Sequence, residues 1–270
     1  SSSTGSRICS VSCELLSVYM WSMAFSSSLA FSVSHADLCG MRRILLLSCV
    51  CLLLPRSVWA GPFLDLSRVD SLDLTGYRSL RRNDFSGAHA PAQFLRSQVL
   101  PVAVSCIYVV VNPGARIYAE PRIVDGVTTY IPLVSDLSFQ AVLSKSCSWW
   151  NKQHGVSPAY VLEHEQIHFA LYEVAARRLN KSAEGLIRSL PVSRESAQAA
   201  VTSTQKFLQQ SLNRTMQQIE KDNTRFDRET SFGFQPDRQH RWRKSVHGDL
   251  ADLAAHAVDL DLRPPPKPKQ

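Results

Sequence analysis

The sequence predicts an α+β fold, a small antiparallel sheet followed by two long helices. Three observations point to it. β-branched and aromatic residues cluster between 99 and 137 and are punctuated by turn signals. Residues 159–179 combine Ala, Leu, Glu and Arg with apolar residues at helical spacing. A second such stretch, from about 194 to 223, sets Val201, Leu208, Leu212, Met216 and Ile219 on one face of a Gln- and Ser-rich background.

Taken in order, residues 1–40 are Ser-rich without helical or strand period and read as spurious upstream sequence or as an extended leader. Residues 41–60 have the three parts of a signal peptide: Met41-Arg42-Arg43, the apolar run 44–54, and Val58-Trp59-Ala60 before a cut that leaves Gly61 first. The run falls well short of the ~20 residues a bilayer-spanning helix needs, so no transmembrane anchor is expected. A lipoprotein reading around Cys49 is weaker, because the apolar run continues beyond it to Leu54. Cleavage removes Cys9, Cys13, Cys39, Cys49 and Cys51 and leaves Cys106 and Cys147. An even pair in an exported, periplasmic or extracellular chain suggests a disulfide, with two buried thiols as the alternative. Arg7, Arg42, Arg43, Arg56, Glu14 and Asp37 go too, which lowers the formal charge of +7 by two.

Residues 61–262 suffice for a single α+β domain with its own core. From 61 to 94 the chain is polar, with a turn at Asn83-Asp84-Phe85-Ser86-Gly87. Strands are expected at 102–104, 107–111, 115–119 and 128–133, broken by Asn112-Pro113-Gly114 and Asp125-Gly126. Their sheet could offer an edge to an extended peptide. Residues 139–148 read as one more strand, ending at Trp149-Trp150, which are expected to pack.

Ser157 as N-cap and Pro158 in the first turn open the first helix. It carries His164-Glu165-Gln166-Ile167-His168, and at 100° per residue the two histidines are offset by about 40°. Both imidazoles can therefore reach one ion, and Glu165 beside them can deprotonate a water without filling the coordination sphere. This makes His164 and His168 candidate ligands of Zn²⁺ and Glu165 the candidate catalytic base. Val161, Ile167, Leu171 and Val174 imply burial on more than one side. After a break near Gly185 and Pro191 comes the second helix, then a short basic helix over 236–242. The basic residues between Arg238 and Lys244 suit either an anionic envelope surface or a solvated helix face. No nucleic-acid module is recognisable. The tail 263–270 is Pro- and Lys-rich and expected to be disordered.

The stretch Tyr160-Val161-Leu162-Glu163-His164-Glu165-Gln166-Ile167-His168-Phe169, with Glu173 and Ala175-Ala176-Arg177-Arg178-Leu179, resembles the bacterial DUF922 family of predicted secreted zinc-dependent proteases. Asn83 to Gly87 resembles its D-F-x-G element and Ser148-Trp149 its S-W. Phe226-Asp227 to Thr230, with Gln239 and Trp242, resembles its closing Y-D-x-x-T-x-H and Q-x-x-W. The resemblance implies a zincin-like fold, a zinc cofactor and a peptide or protein substrate. The chain departs from the pattern at Phe226, where the family has Tyr, and at Phe232, where it has His. That histidine is a candidate third ligand or transition-state donor, and a phenyl ring does neither job. A catalytically degenerate, non-cleaving relative acting as an envelope binding or scaffold protein is thus the alternative reading. Glu173 lies about 140° around the helix from His168 and reads as a packing residue or one behind the ligands, with a role as third ligand as the alternative. Glu195, Glu220, Asp222, Asp227, Glu229 and His240 remain as candidate donors.

Overall fold

The computed structural model describes residues 71–90 and 101–262, all within one compact unit. The readings of 1–40, 41–60 and the tail 263–270 lie outside the described residues. The fold is α+β. Strand β1 (Leu74–Gly76), β2 (Ala103–Val111) and β5 (Phe139–Trp150) form an antiparallel sheet in the order β1-β5-β2. Strands β3 (Arg116–Val124) and β4 (Val127–Ser135) form a separate two-stranded hairpin. The single small sheet expected from the sequence is therefore two.

Composition explains the division. β2 is buried along nearly its whole length, as a strand covered on both faces must be, whereas β3 is mostly exposed. Pro121 lies opposite Tyr130, and Pro132 opposite Ala119, so each hairpin strand has a position that cannot donate to a further ladder. The hairpin turns at Asp125-Gly126, with φ of 51° and 75°, the two positive values of a type I′ turn. The segments 102–104 and 107–111 turn out to be parts of one strand with an irregularity at Ser105, where the pairing jumps from Val104 with Trp149 to Cys106 with Ser144. Trp150 joins the core, while Trp149 is half-buried.

Helix α1 (Pro158–Arg188) runs under the main sheet. Pro158 starts it, but Ser157 contributes its carbonyl rather than a side-chain cap, accepting from the Tyr160 and Val161 amides. Val161, Phe169, Tyr172 and Ala176 pack toward β2 and β5. Ile167, Ala170 and Val174 face the opposite way, onto Phe226, Val246 and Leu250. The helix is buried on two sides, so its polar side chains must find partners inside the protein.

Helix α2 (Ala197–Glu229) begins at Ser196, whose hydroxyl accepts from the Ala199 amide at 3.0 Å. It runs six residues beyond Asn223, the end expected from its apolar pattern, because that pattern continues through the buried Phe226. Helix α3 (Pro236–Asp252) is longer than the basic segment alone indicates, since Gln239, Val246 and Leu250 keep an inward face to its end. Arg243 pairs with Glu163 at 2.8 Å, while Arg238 and Arg241 are exposed. Among the described residues no helix is long and apolar enough to cross a membrane. Cys106 and Cys147 stand at disulfide distance, their Cα atoms 5.7 Å apart.

Candidate metal centre

His164 and His168, one turn apart on α1, are both wholly buried, with Nε2 atoms 3.2 Å apart. Their other ring nitrogens decide what those Nε2 atoms can do. His168 Nδ1 meets Asn223 Oδ1, and the Asn223 amide is oriented by its own Nδ2, which donates to the Ile219 carbonyl at 2.8 Å. His164 Nδ1 lies 3.1 Å from Gln239 Oε1, and Gln239 Nε2 faces the Tyr160 carbonyl and Glu163. A carbonyl oxygen only accepts, so each Nδ1 carries the proton and each Nε2 is left with a lone pair. Asp227 Oδ1 lies 3.2 Å from His164 Nε2 and 3.0 Å from His168 Nε2. Three electron-pair donors thus converge on one point, an arrangement that repels itself unless a cation or a proton lies among them.

The extended end of α2 makes this possible. Asn223, Phe226 and Asp227, at i, i+3 and i+4, share one helical face, which lies against the histidines. Phe226 stacks on His164 with ring centroids 4.6 Å apart and meets His168 edge-on at 4.8 Å. Trp242 of α3 backs it at 5.5 Å. The aromatic wall fixes both imidazole planes and keeps water from their faces. Asp227 retains 13% side-chain exposure and is the part of the group nearest solvent.

Burial depresses the His164 pKa, and the Asp227 contact only partly opposes this. Burial acts on His168 in the same sense, but the Asp227 charge and hydrogen bond outweigh it and its pKa is raised. Asp227 is pushed up by burial, yet the two histidines more than reverse this and hold it below the usual carboxylate range. Among the described residues, His164, His168 and Asp227 form a group that could hold a metal ion.

Glu165 is wholly buried, and burial pushes its pKa up to about 7. Its Oε2 accepts from the Ser105 hydroxyl, while Oε1 has no hydrogen-bond partner among the described residues. An unpartnered buried carboxylate oxygen is costly and is the expected mark of a water or ligand site.

Among the described residues, none of the remaining candidate donors joins this group. Glu173 accepts from Arg177 at 2.8 Å and from the Ala141 amide at 3.4 Å, linking α1 to β5, which agrees with its reading as a packing residue. Asp222 pairs with Arg225, Glu229 accepts from Trp242 Nε1, His240 lies against Arg243, and Glu195 is exposed. The third donor is Asp227, so a histidine at 232 is not needed for a three-donor group. Phe232 instead sits in a turn of left-handed residues, Ser231, Phe232 and Gly233, with φ of 51°, 56° and 85°. Asn223, Gln239 and Ser105 were not singled out as site residues. Gln239 was visible as part of the Q-x-x-W resemblance, and Asn223 becomes visible once α2 extends to Asp227.

Cavities away from the donors lie among the described residues. One of about 460 Å³ is bounded by Tyr77, Glu163 and Arg243, and one of about 650 Å³ runs between the three helices beside Trp242. Compared with protein-family models, curated proteins and solved structures, the chain has no match in any of the three.

Proposed function

We propose that this chain is a secreted or periplasmic zinc-dependent metallopeptidase, with His164, His168 and Asp227 as zinc ligands and Glu165 as general base. The observation that carries the reading is the spacing of the three donors. Ligands 2.0–2.1 Å from a tetrahedral zinc ion stand about 3.3 Å from one another, and the three separations here are 3.2, 3.2 and 3.0 Å. Two neutral imidazoles and one carboxylate also leave the fourth tetrahedral position to solvent or substrate, as a hydrolytic site requires. Export is supported by the signal-like 41–60 and by the Cys106 and Cys147 pair.

Zinc bound there supplies Lewis acidity toward a peptide carbonyl and makes water a better nucleophile. The chain's own residues do the rest. Asn223 and Gln239 hold both imidazoles in the Nδ1–H tautomer, and Phe226 fixes their planes. Glu165, raised to about 7, is suited to take a proton from the attacking water as its oxygen bonds to the carbonyl carbon. It then delivers that proton to the leaving nitrogen as the C–N bond breaks.

Bound metal and casein cleavage, measured on the chain beside Glu165→Gln, test the reading. The substitution is expected to keep zinc and to lower cleavage by about 10²–10⁴-fold; cleavage that survives it removes Glu165 from the mechanism. The complete burial of both imidazoles favours a second reading, a non-cleaving envelope binding or scaffold protein that keeps the metal for structure. Stoichiometric zinc with no cleavage by the native chain would select it.

A further inference from the structure

We propose that Ser105 is a positioning residue for Glu165, and that the irregularity between β2 and β5 exists to hold it there. Ser105 is 1% exposed and lies on β2 between Ala103 and Ile107, both members of the apolar cluster shared with α1. Its hydroxyl donates to Glu165 Oε2, which leaves Oε1 as the oxygen free to take a proton. A serine hydroxyl in such a row costs stability unless it is hydrogen-bonded, and Glu165 supplies that bond.

The surrounding contacts show how the position is maintained. Residues 145–148 of β5 lie opposite Ser105 alone. Ser148 Oγ bridges the gap, accepting from the Cys106 amide at 3.0 Å and donating to the Ser144 carbonyl at 2.6 Å. Cys147 meets Cys106, the neighbour of Ser105. From the other side, the Ser86 and Gly87 amides donate to the Lys145 and Ser148 carbonyls at 2.9 and 2.8 Å. A Cβ at Gly87 would stand 2.8 Å from the Ser148 carbonyl oxygen, so only glycine allows this approach. The stretches Asn83 to Gly87 and Ser148-Trp149, which contribute nothing to the metal centre, thus acquire a common task as the frame behind Ser105.

The inference rests on the peptidase reading, and its test separates the two. Ser105→Thr and Ser105→Val have nearly the same shape and differ in one hydroxyl, so packing strain cancels between them. In the full, zinc-loaded chain with casein as probe, Ser105→Val is expected to lower kcat at least about tenfold relative to Ser105→Thr. KM and zinc affinity, by chelator competition, should agree within about twofold between the variants. Equal kcat in the two, or a parallel loss of zinc by the valine variant, overturns the proposal. Should the valine variant not fold, Ser105→Ala is read in its place. If the native chain cleaves nothing, the peptidase reading fails, and acetohydroxamate binding to the zinc-loaded protein decides. About tenfold weaker binding in Ser105→Val than in Ser105→Thr supports Ser105 as the holder of Glu165, and equal binding rejects it.

Discussion

Replacing Asn223 by Leu perturbs the centre without touching a proposed ligand. Leucine keeps asparagine's branching at Cγ but is bulkier, so at the 2% exposed site some overpacking cost adds to the loss of the polar contacts. What disappears is the acceptor for His168 Nδ1 and the bond to the Ile219 carbonyl. The ring is then free to move its proton to Nε2, the atom that would bind the ion, and that proton must leave before binding. Loss of such an outer partner costs about 10–100-fold in metal affinity, or about 1.4–2.7 kcal/mol. Without metal, the buried Nδ1 left without a partner costs about 1–3 kcal/mol, which lowers Tm by about 2–4 °C per kcal/mol in a domain of this size. Added zinc should recover part of the loss, because it binds the folded state alone. Competition against a chromophoric chelator measures the affinity, and nitrogen chemical shifts of the imidazoles report the tautomer. Asp227→Ala, which removes a donor outright, should exceed the 100-fold end of that range. Native-like zinc affinity in Asn223→Leu, or equal losses in the two variants, would refute the reasoning about tautomer and third donor respectively.

Other outcomes follow from the same geometry. Phe232→His should change zinc affinity by no more than about twofold, because Asp227 already completes the group; a large gain by chelator competition would return position 232 to the ligand set. Gly126→Ala should destabilise the domain by about 1–2 kcal/mol in urea titration, since φ is +75° and no atom lies within 4 Å to offset the strain. Burial raises the Asp84 pKa, but the Arg78 hydrogen bonds at 2.9 and 2.5 Å and the Arg81 backbone outweigh it and hold it below its ordinary value. A depressed folded pKa means the stabilisation is complete above the unfolded value near 4 and is lost as pH falls through the folded one. Arg78→Ala should therefore cost about 1 kcal/mol near neutrality, and its difference from the native chain should shrink in acid-range denaturant titrations. A gap that stays constant with falling pH would exclude the pair as its source.

Local spacing was enough to reveal the helix-borne His164, Glu165 and His168, because side chains four apart share a helix face whatever surrounds them. The same holds for the turns at Asn112-Pro113-Gly114 and Asp125-Gly126, where proline and glycine encode backbone angles directly. Strand partnership was not legible, because β2 and β3 read alike by propensity and differ in which can be covered on both faces. The end of α2 was misjudged because the expected apolar face stopped at Ile219, and Phe226 extends it only when there is something to pack against. That packing brings Asp227 to the histidines across 59 residues and sends Glu173, five residues from His168, to Arg177 and β5. What lies within one helical turn was determined by the chain's own geometry. The third donor, the amides that set both tautomers and the serine holding Glu165 were decided by tertiary structure, since each comes from an element that reaches the centre only through packing.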